Sequence, residues 1–273
     1  MKPHPSIIDA LRHTPTPGEI NEMVADTRLL HRGILAEAVQ QASARLEREC
    51  RSTKELRHEY HAVYARLVKD MAAIYPVVIC FENALRTSYS YFCRDHFGRE
   101  IWWEYAYQRM IEGDMARDVR RLYSKPVNIE FSETLFYTMN KIEKTQNRSI
   151  LHKAENCDDL LRFSTLGDID RLVRADWQLA RAMFLPASKI SKSPSNYFRQ
   201  RMKIIVDTRN AIFHSNPTNQ KRKAYSAAEE ILDALGMDLP LASNMIAASH
   251  VSEHKWEIVR ANHHICPPTA QQI

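Results

Sequence analysis

The sequence predicts an all-α fold, on three observations. Only 6 of the 273 residues are glycine, against roughly 7% in ordinary chains, so few positions supply the left-handed backbone that tight hairpin turns demand. No run of alternating apolar and polar residues is long enough for a strand. Segment after segment instead shows apolar residues at helical spacing, several of them opening on a capping residue.

In chain order, Thr16-Pro17 followed by Glu19 sets a cap, a first-turn proline and an early acid, and predicts a helix running to about Cys50. Ser52 and Thr53, with Glu55 soon after, open a second that runs to about Tyr75. Together they form a helical hairpin extension over residues 1–74 with no chemistry of its own. Pro76 removes an N–H and disfavours helix at Tyr75, so it either kinks that helix or restarts a new one. Val77 to Phe97 is apolar at positions 78, 81, 85, 89 and 92, the spacing of a core-facing helix, and Gly98 ends it. Residues 99–130 mix aromatics with charges and read as a loop and a short helix. Further helices are expected at about 132–147, 158–164, 167–184, 195–214 and 224–235, making residues 75–238 the main domain and 239–273 a C-terminal helix and tail.

Composition narrows the setting. Five cysteines at positions 50, 80, 93, 157 and 266 show no C-x-x-C spacing, which suits reduced thiols of a cytoplasmic protein better than a disulfide framework. The longest apolar run, Met71 to Phe81, falls far short of the roughly 20 residues of a membrane span, and no signal peptide is recognisable. A P-loop, a dinucleotide fingerprint, H-E-x-x-H and G-x-S-x-G are absent.

Charge is unevenly spread. Net charge is +5, yet Lys189, Lys192, Arg199, Arg201, Lys203, Arg209, Lys221, Arg222 and Lys223 stand against the single acid Asp207, so residues 189–223 carry +8 and the rest −3. Such a segment reads either as a solvated face or as a footprint for the phosphates of RNA, with the eight lysines and arginines other than Arg209 as contacts.

Pro194 and Pro217 bracket one basic helix inside that segment. Its apolar stripe passes through Phe198, Met202, Ile205 and Ile212, and the period places Arg209 between the last two. Glu82 interrupts the stripe of the earlier helix in the same way. A buried lone guanidinium costs several kcal/mol, so a Glu82–Arg209 pair between packed helices resolves both anomalies, as a structural ion pair or as part of a site. Asn210 and His214 are four apart and share a face, whereas Arg209 and His214 are about 140° apart around the axis. Both reach one phosphate if His214 lies in a loosened last turn, or if two copies of the helix meet at a symmetric interface. Histidine moves protons near neutral pH and arginine clamps phosphoryl oxygens, which is the chemistry that RNA cleavage by the neighbouring 2′-OH requires, with no metal.

Arg209-Asn210-Ala211-Ile212-Phe213-His214 resembles the R-x4-H motif of HEPN domains, in its R-N-x3-H form. Phe81-Glu82-Asn83-Ala84-Leu85-Arg86, the stretch Phe97-Gly98-Arg99-Glu100-Ile101-Trp102-Trp103, and Leu166-Gly167-Asp168-Ile169 ahead of Trp177 are similar to features of the Abi-like (abortive infection) HEPN group, over about residues 75–236. The resemblance implies a four-to-five-helix bundle, a homodimer joining two motifs in one cleft, and a cofactor-free, metal-independent endoribonuclease of phage-defence or toxin–antitoxin systems; what restrains it, an antitoxin protein, an RNA or an oligomeric switch, the sequence leaves open. It makes Arg209 and His214 catalytic, Asn210 their orienting residue and Glu82 a supporting one. Asn216 stands where related pairs carry a tyrosine two residues past the histidine, so control by nucleotide addition there is not implied. Two rivals stand beside it. One is a non-catalytic HEPN module that binds RNA or a partner. The other is a zinc site from His250, His254, His263, His264 and Cys266, whose spacing matches no common zinc motif.

Overall fold

The computed structural model describes residues 2–11, 14–46, 52–145, 150–214, 216 and 218–237, and nearly all of their regular structure is helical. Helices α1 (Pro5–Ala10), α2 (Pro17–Leu29) and α3 (Arg32–Leu46) precede the long α4 (Thr53–Phe97). Both expected caps form as capping boxes, Thr16 with Glu19 and Ser52 with Glu55. The single helix expected from 16 to about 50 is instead two: Leu30 turns extended and ends α2. That break folds α2 back so that Met23 and Asp26 reach α4, and it frees the His31 N–H to donate to the Tyr64 hydroxyl at 3.0 Å.

Helix α4 passes through Pro76 without a restart and spans 45 residues, roughly 68 Å at helical rise. The proline forfeits the N–H that Ala72 would accept, a cost of about 3 kcal/mol. Met71, Ile74, Val77 and Val78 on either side are all buried, each contributing about 1.5–3 kcal/mol, so burial outweighs the missing bond. One helix thus serves two cores. Leu56, Tyr60 and Val63 pack with Ile7, Met23, Leu35, Ala38, Val39 and Ala42 in a small N-terminal core. From Ile74 onward α4 enters the main one.

Gly98, at φ +68°, ends α4 with a left-handed residue. Trp102 and Trp103 follow and are wholly buried. The stretch expected to be a loop and a short helix holds α5 (Glu104–Ile111) and also a two-residue antiparallel ladder, β1 (Arg121–Leu122) with β2 (Lys125–Pro126), too short for any periodicity to reveal. Then come α6 (Ile129–Thr145), α7 (Asp159–Arg162), α8 (Leu166–Ala175), α9 (Trp177–Ala180), α10 (Lys189–Lys192), α11 (Ser195–Phe213) and α12 (Lys221–Ala234). The helix expected over 167–184 breaks at Asp176, whose carboxylate caps α9 by accepting from the Leu179 N–H. The turn drives Trp177 into the core, where its indole N–H donates to the Ser193 carbonyl. The fold is all-α. Among the described residues no helix is long and apolar enough to cross a membrane.

Candidate active site

Helix α11 packs on α4, α8 and α12, burying Phe198, Met202, Ile205, Thr208 and Ile212. At the level where the stripe was expected to be broken by an arginine, Thr208 fills the buried position and Arg209 lies at its margin, its side chain 30% exposed. The interruption is therefore partial, because a guanidinium at the end of the helix can turn outward where a mid-helix one could not.

Arg209 does meet Glu82, Nε to Oε2 at 3.6 Å, an ion pair too long for a hydrogen bond. Glu82 is buried, and its nearer partner is Arg86, whose Nη2 donates to Oε1 at 2.6 Å and to the Ser164 carbonyl at 3.0 Å. One carboxylate thus faces two guanidiniums, and the cluster keeps a net positive charge. Asn210 Oδ1 accepts from Arg209 Nη1 at 3.3 Å, and the guanidinium carbon lies 4.1 Å above the Phe213 ring. Arg209 Nη2 has no protein hydrogen-bond partner among the described residues. Sequence reasoning passed over Arg86 and Phe213, although each stands four residues from its partner, the spacing at which helical side chains meet.

His214 is the C-cap of α11, at φ −94° and ψ 13°, with its amide still donating to the Asn210 carbonyl at 3.0 Å. Its side chain is exposed. The last turn has begun to leave helical geometry, yet no hydrogen bond joins the imidazole to Arg209 or Asn210 among the described residues of one protomer. The structure gathers Arg209, Asn210, Glu82, Arg86 and Phe213, and leaves His214 one residue further on, facing solvent.

The N-terminal hairpin borders this end of α11. Asn216 Oδ1 lies so close to Gly33 that an added Cβ would meet it at 3.4 Å. The Phe213 ring packs on Tyr75 with centroids 5.1 Å apart. A cleft of about 490 Å³ opens beside them, lined by His31, Tyr64, Val68, Tyr75, Pro76 and Ile212 among others.

The basic segment is less bare than its composition suggests. Arg201 donates to Glu230 at 2.6 Å, Lys203 to Asp207 at 2.6 Å, Lys221 lies 3.7 Å from Asp70, and Lys189 sits over the Tyr197 ring. Burial works against the charge on Glu230, but hydrogen bonds from Tyr197 and Arg201 outweigh it and hold the carboxyl below its ordinary value, so Arg201 stays neutralised. Lys192, Arg199, Arg222 and Lys223 are exposed. Arg201, Arg222 and Lys223 share a groove of about 340 Å³ between α11 and α12. Asp168 of the Leu166-to-Ile169 stretch is buried in a capping box with Thr165 and paired to Lys141 and Arg171, which makes it a structural residue.

Among the described residues no cluster of histidine, cysteine and carboxylate side chains could hold a metal ion. His250, His254, His263, His264 and Cys266 lie outside the described residues. Compared with protein-family models, curated proteins and solved structures, the chain finds no match.

Proposed function

We propose that this protein is an Abi-like HEPN endoribonuclease that cuts RNA without a metal through Arg209 and His214, at an interface between two copies of itself. In this reading the second part of α4 with α6, α8, α11 and α12 forms the HEPN bundle. The chain acts in the cytoplasm in phage defence or as a toxin, restrained by an antitoxin protein or RNA.

The observation that carries it is the charge on Glu82: shared by Arg86 and Arg209, it leaves one positive charge unmatched and one guanidinium nitrogen free on a partly exposed arginine. That nitrogen suits a phosphoryl oxygen. Asn210 and the Phe213 ring hold the guanidinium plane, so little reorganisation is needed when charge builds on the phosphorane. The 2′-oxygen forms its bond to phosphorus as its proton leaves to a base. The bond to the 5′-oxygen breaks as that oxygen takes up a proton, giving a 2′,3′-cyclic phosphate and a 5′-hydroxyl. His214, exposed at the mouth of the site, is the group assigned to these proton transfers. No hydrogen bond joins it to Arg209 within one protomer, and in this reading the complete site takes its second half from a partner copy.

Purified protein incubated with RNA in the presence of a chelator should yield fragments with cyclic phosphate ends, and His214→Ala should cut slower by about 10² to 10⁴-fold. Intact RNA with both proteins would refute the nuclease. The lack of a hydrogen bond between His214 and Arg209 within one protomer also favours a second reading, a non-catalytic module that binds RNA or a partner. It predicts retention of RNA on both proteins with no cleavage.

A further inference from the structure

We propose that the aromatic cleft beside Arg209 seats one unpaired nucleobase of the RNA strand whose phosphate the arginine holds, which makes single-stranded RNA the substrate class. The inference rests on the ribonuclease reading and assigns the N-terminal hairpin a part in it.

Three large apolar side chains stand exposed in one neighbourhood: Tyr75 at 42%, Phe213 at 41% and Val68 at 41%. Two of them are rings packed against each other, and the second carries the Arg209 guanidinium on its face. Two aromatic rings tilted by 33°, ending in a cation with a free nitrogen, match a nucleotide, a flat base joined to an anion, with Tyr75 as the ring for stacking because Arg209 covers a face of Phe213. A peptide or an apolar helix would satisfy the rings and leave the charge unmet. The adjoining cleft, about 490 Å³, is within the roughly 300–1,000 Å³ of small-molecule sites. Its walls are chiefly aromatic and aliphatic, and the Tyr64 hydroxyl supplies polarity: it accepts the His31 N–H and keeps its own proton for an acceptor on a base edge. Stacking of this kind tolerates any base, because every base has a π face, but it requires that the base be out of a duplex.

His31, Tyr64 and Val68 belong to the hairpin and the first part of α4, Tyr75 and Pro76 to its middle, and Ile212 to α11. The site thus exists only where the extension meets the main core.

The test uses full-length protein carrying His214→Ala, so that substrate stays whole, and a short RNA bearing 2-aminopurine, whose fluorescence falls when the base stacks on an aromatic ring. Single-stranded probe should be quenched on binding and the same probe in a duplex should not. Tyr75→Ala should abolish the quench and Tyr75→Trp should restore it. In the otherwise native protein Tyr75→Ala should raise KM for single-stranded RNA roughly tenfold with little change in kcat. Undiminished quenching by Tyr75→Ala overturns the proposal. So does a Tyr75→Ala protein that sediments as a smaller species while binding RNA as before, since the rings would then belong to a contact between copies. Quenching by a native protein that leaves RNA uncut supports the base site and refutes the nuclease, which separates the two failures.

Discussion

Glu82 is the residue on which stability and proposed chemistry divide. Its carboxylate, with a side chain 6% exposed, serves Arg86 at 2.6 Å and Arg209 at 3.6 Å. Removing it leaves two partly buried guanidiniums facing each other, so Glu82→Ala should lower unfolding free energy by about 3–5 kcal/mol, read as a shift in urea midpoint. Arg209→Ala should behave differently. Glu82 keeps its closer partner, so the midpoint should move little, while cleavage falls by about 10² to 10³-fold if the guanidinium stabilises the phosphorane. Equal loss of stability in the two variants would make Arg209 a structural cation only. The pair was legible in the sequence as two polar interruptions of apolar stripes. That Arg86 is the tighter partner was not read, although it stands one helical turn from Glu82.

At the scale of elements, the N-terminal hairpin is held by a carboxylate at its centre. Asp26 accepts from Arg57 Nε at 2.6 Å and Nη2 at 2.8 Å, and from the Tyr60 hydroxyl, with His61 Nε2 3.2 Å away. Burial alone would raise its pKa, but the hydrogen bonds from Arg57, His61 and Tyr60 outweigh burial and hold it well below the usual carboxylate range. The folded pKa is lower than the unfolded value of about 3.9. This stabilisation is therefore complete above that unfolded value and is lost as pH falls through the folded one. Asp26→Asn should cost about 3 kcal/mol at neutral pH and much less near pH 2, measured by denaturant titration at both. An equal cost at both would exclude the ionised carboxylate as the cause. Helix boundaries in this region were only partly readable. Caps at Thr16 and Ser52 stood in the sequence, whereas the break at Leu30 serves Asp26 and Tyr64, contacts more than 30 residues apart in the chain.

For the whole molecule, the two proposed catalytic side chains belong to the same helix end with no hydrogen bond between them in one protomer, and in the proposed dimer each site is completed from two copies. A mixture of Arg209→Ala and His214→Ala proteins, unfolded together and refolded, tests this. If each site takes its arginine from one copy and its histidine from the other, the mixed dimer regains one intact site, and activity returns to about a quarter of native. Sites built within single copies would stay inactive in the mixture. The charge of the surface is likewise a property of the whole. Acids from α4 and α12 reach into the basic segment, so Lys221 and Arg201 are matched by Asp70 and Glu230 rather than left as a bare stripe.

Local chemistry decided the class of fold, the capping boxes, the end of α4 at Gly98 and the apolar faces of α4 and α11. Each of these depends on residues within a turn or two of one another, so spacing alone carries the information. Whether Pro76 breaks α4, where α8 ends, how far Arg209 is buried and which aromatic rings lie beside it were decided only in the folded chain. Those outcomes depend on burial against segments distant in sequence, and that burial exceeds the backbone preferences by which local spacing is read.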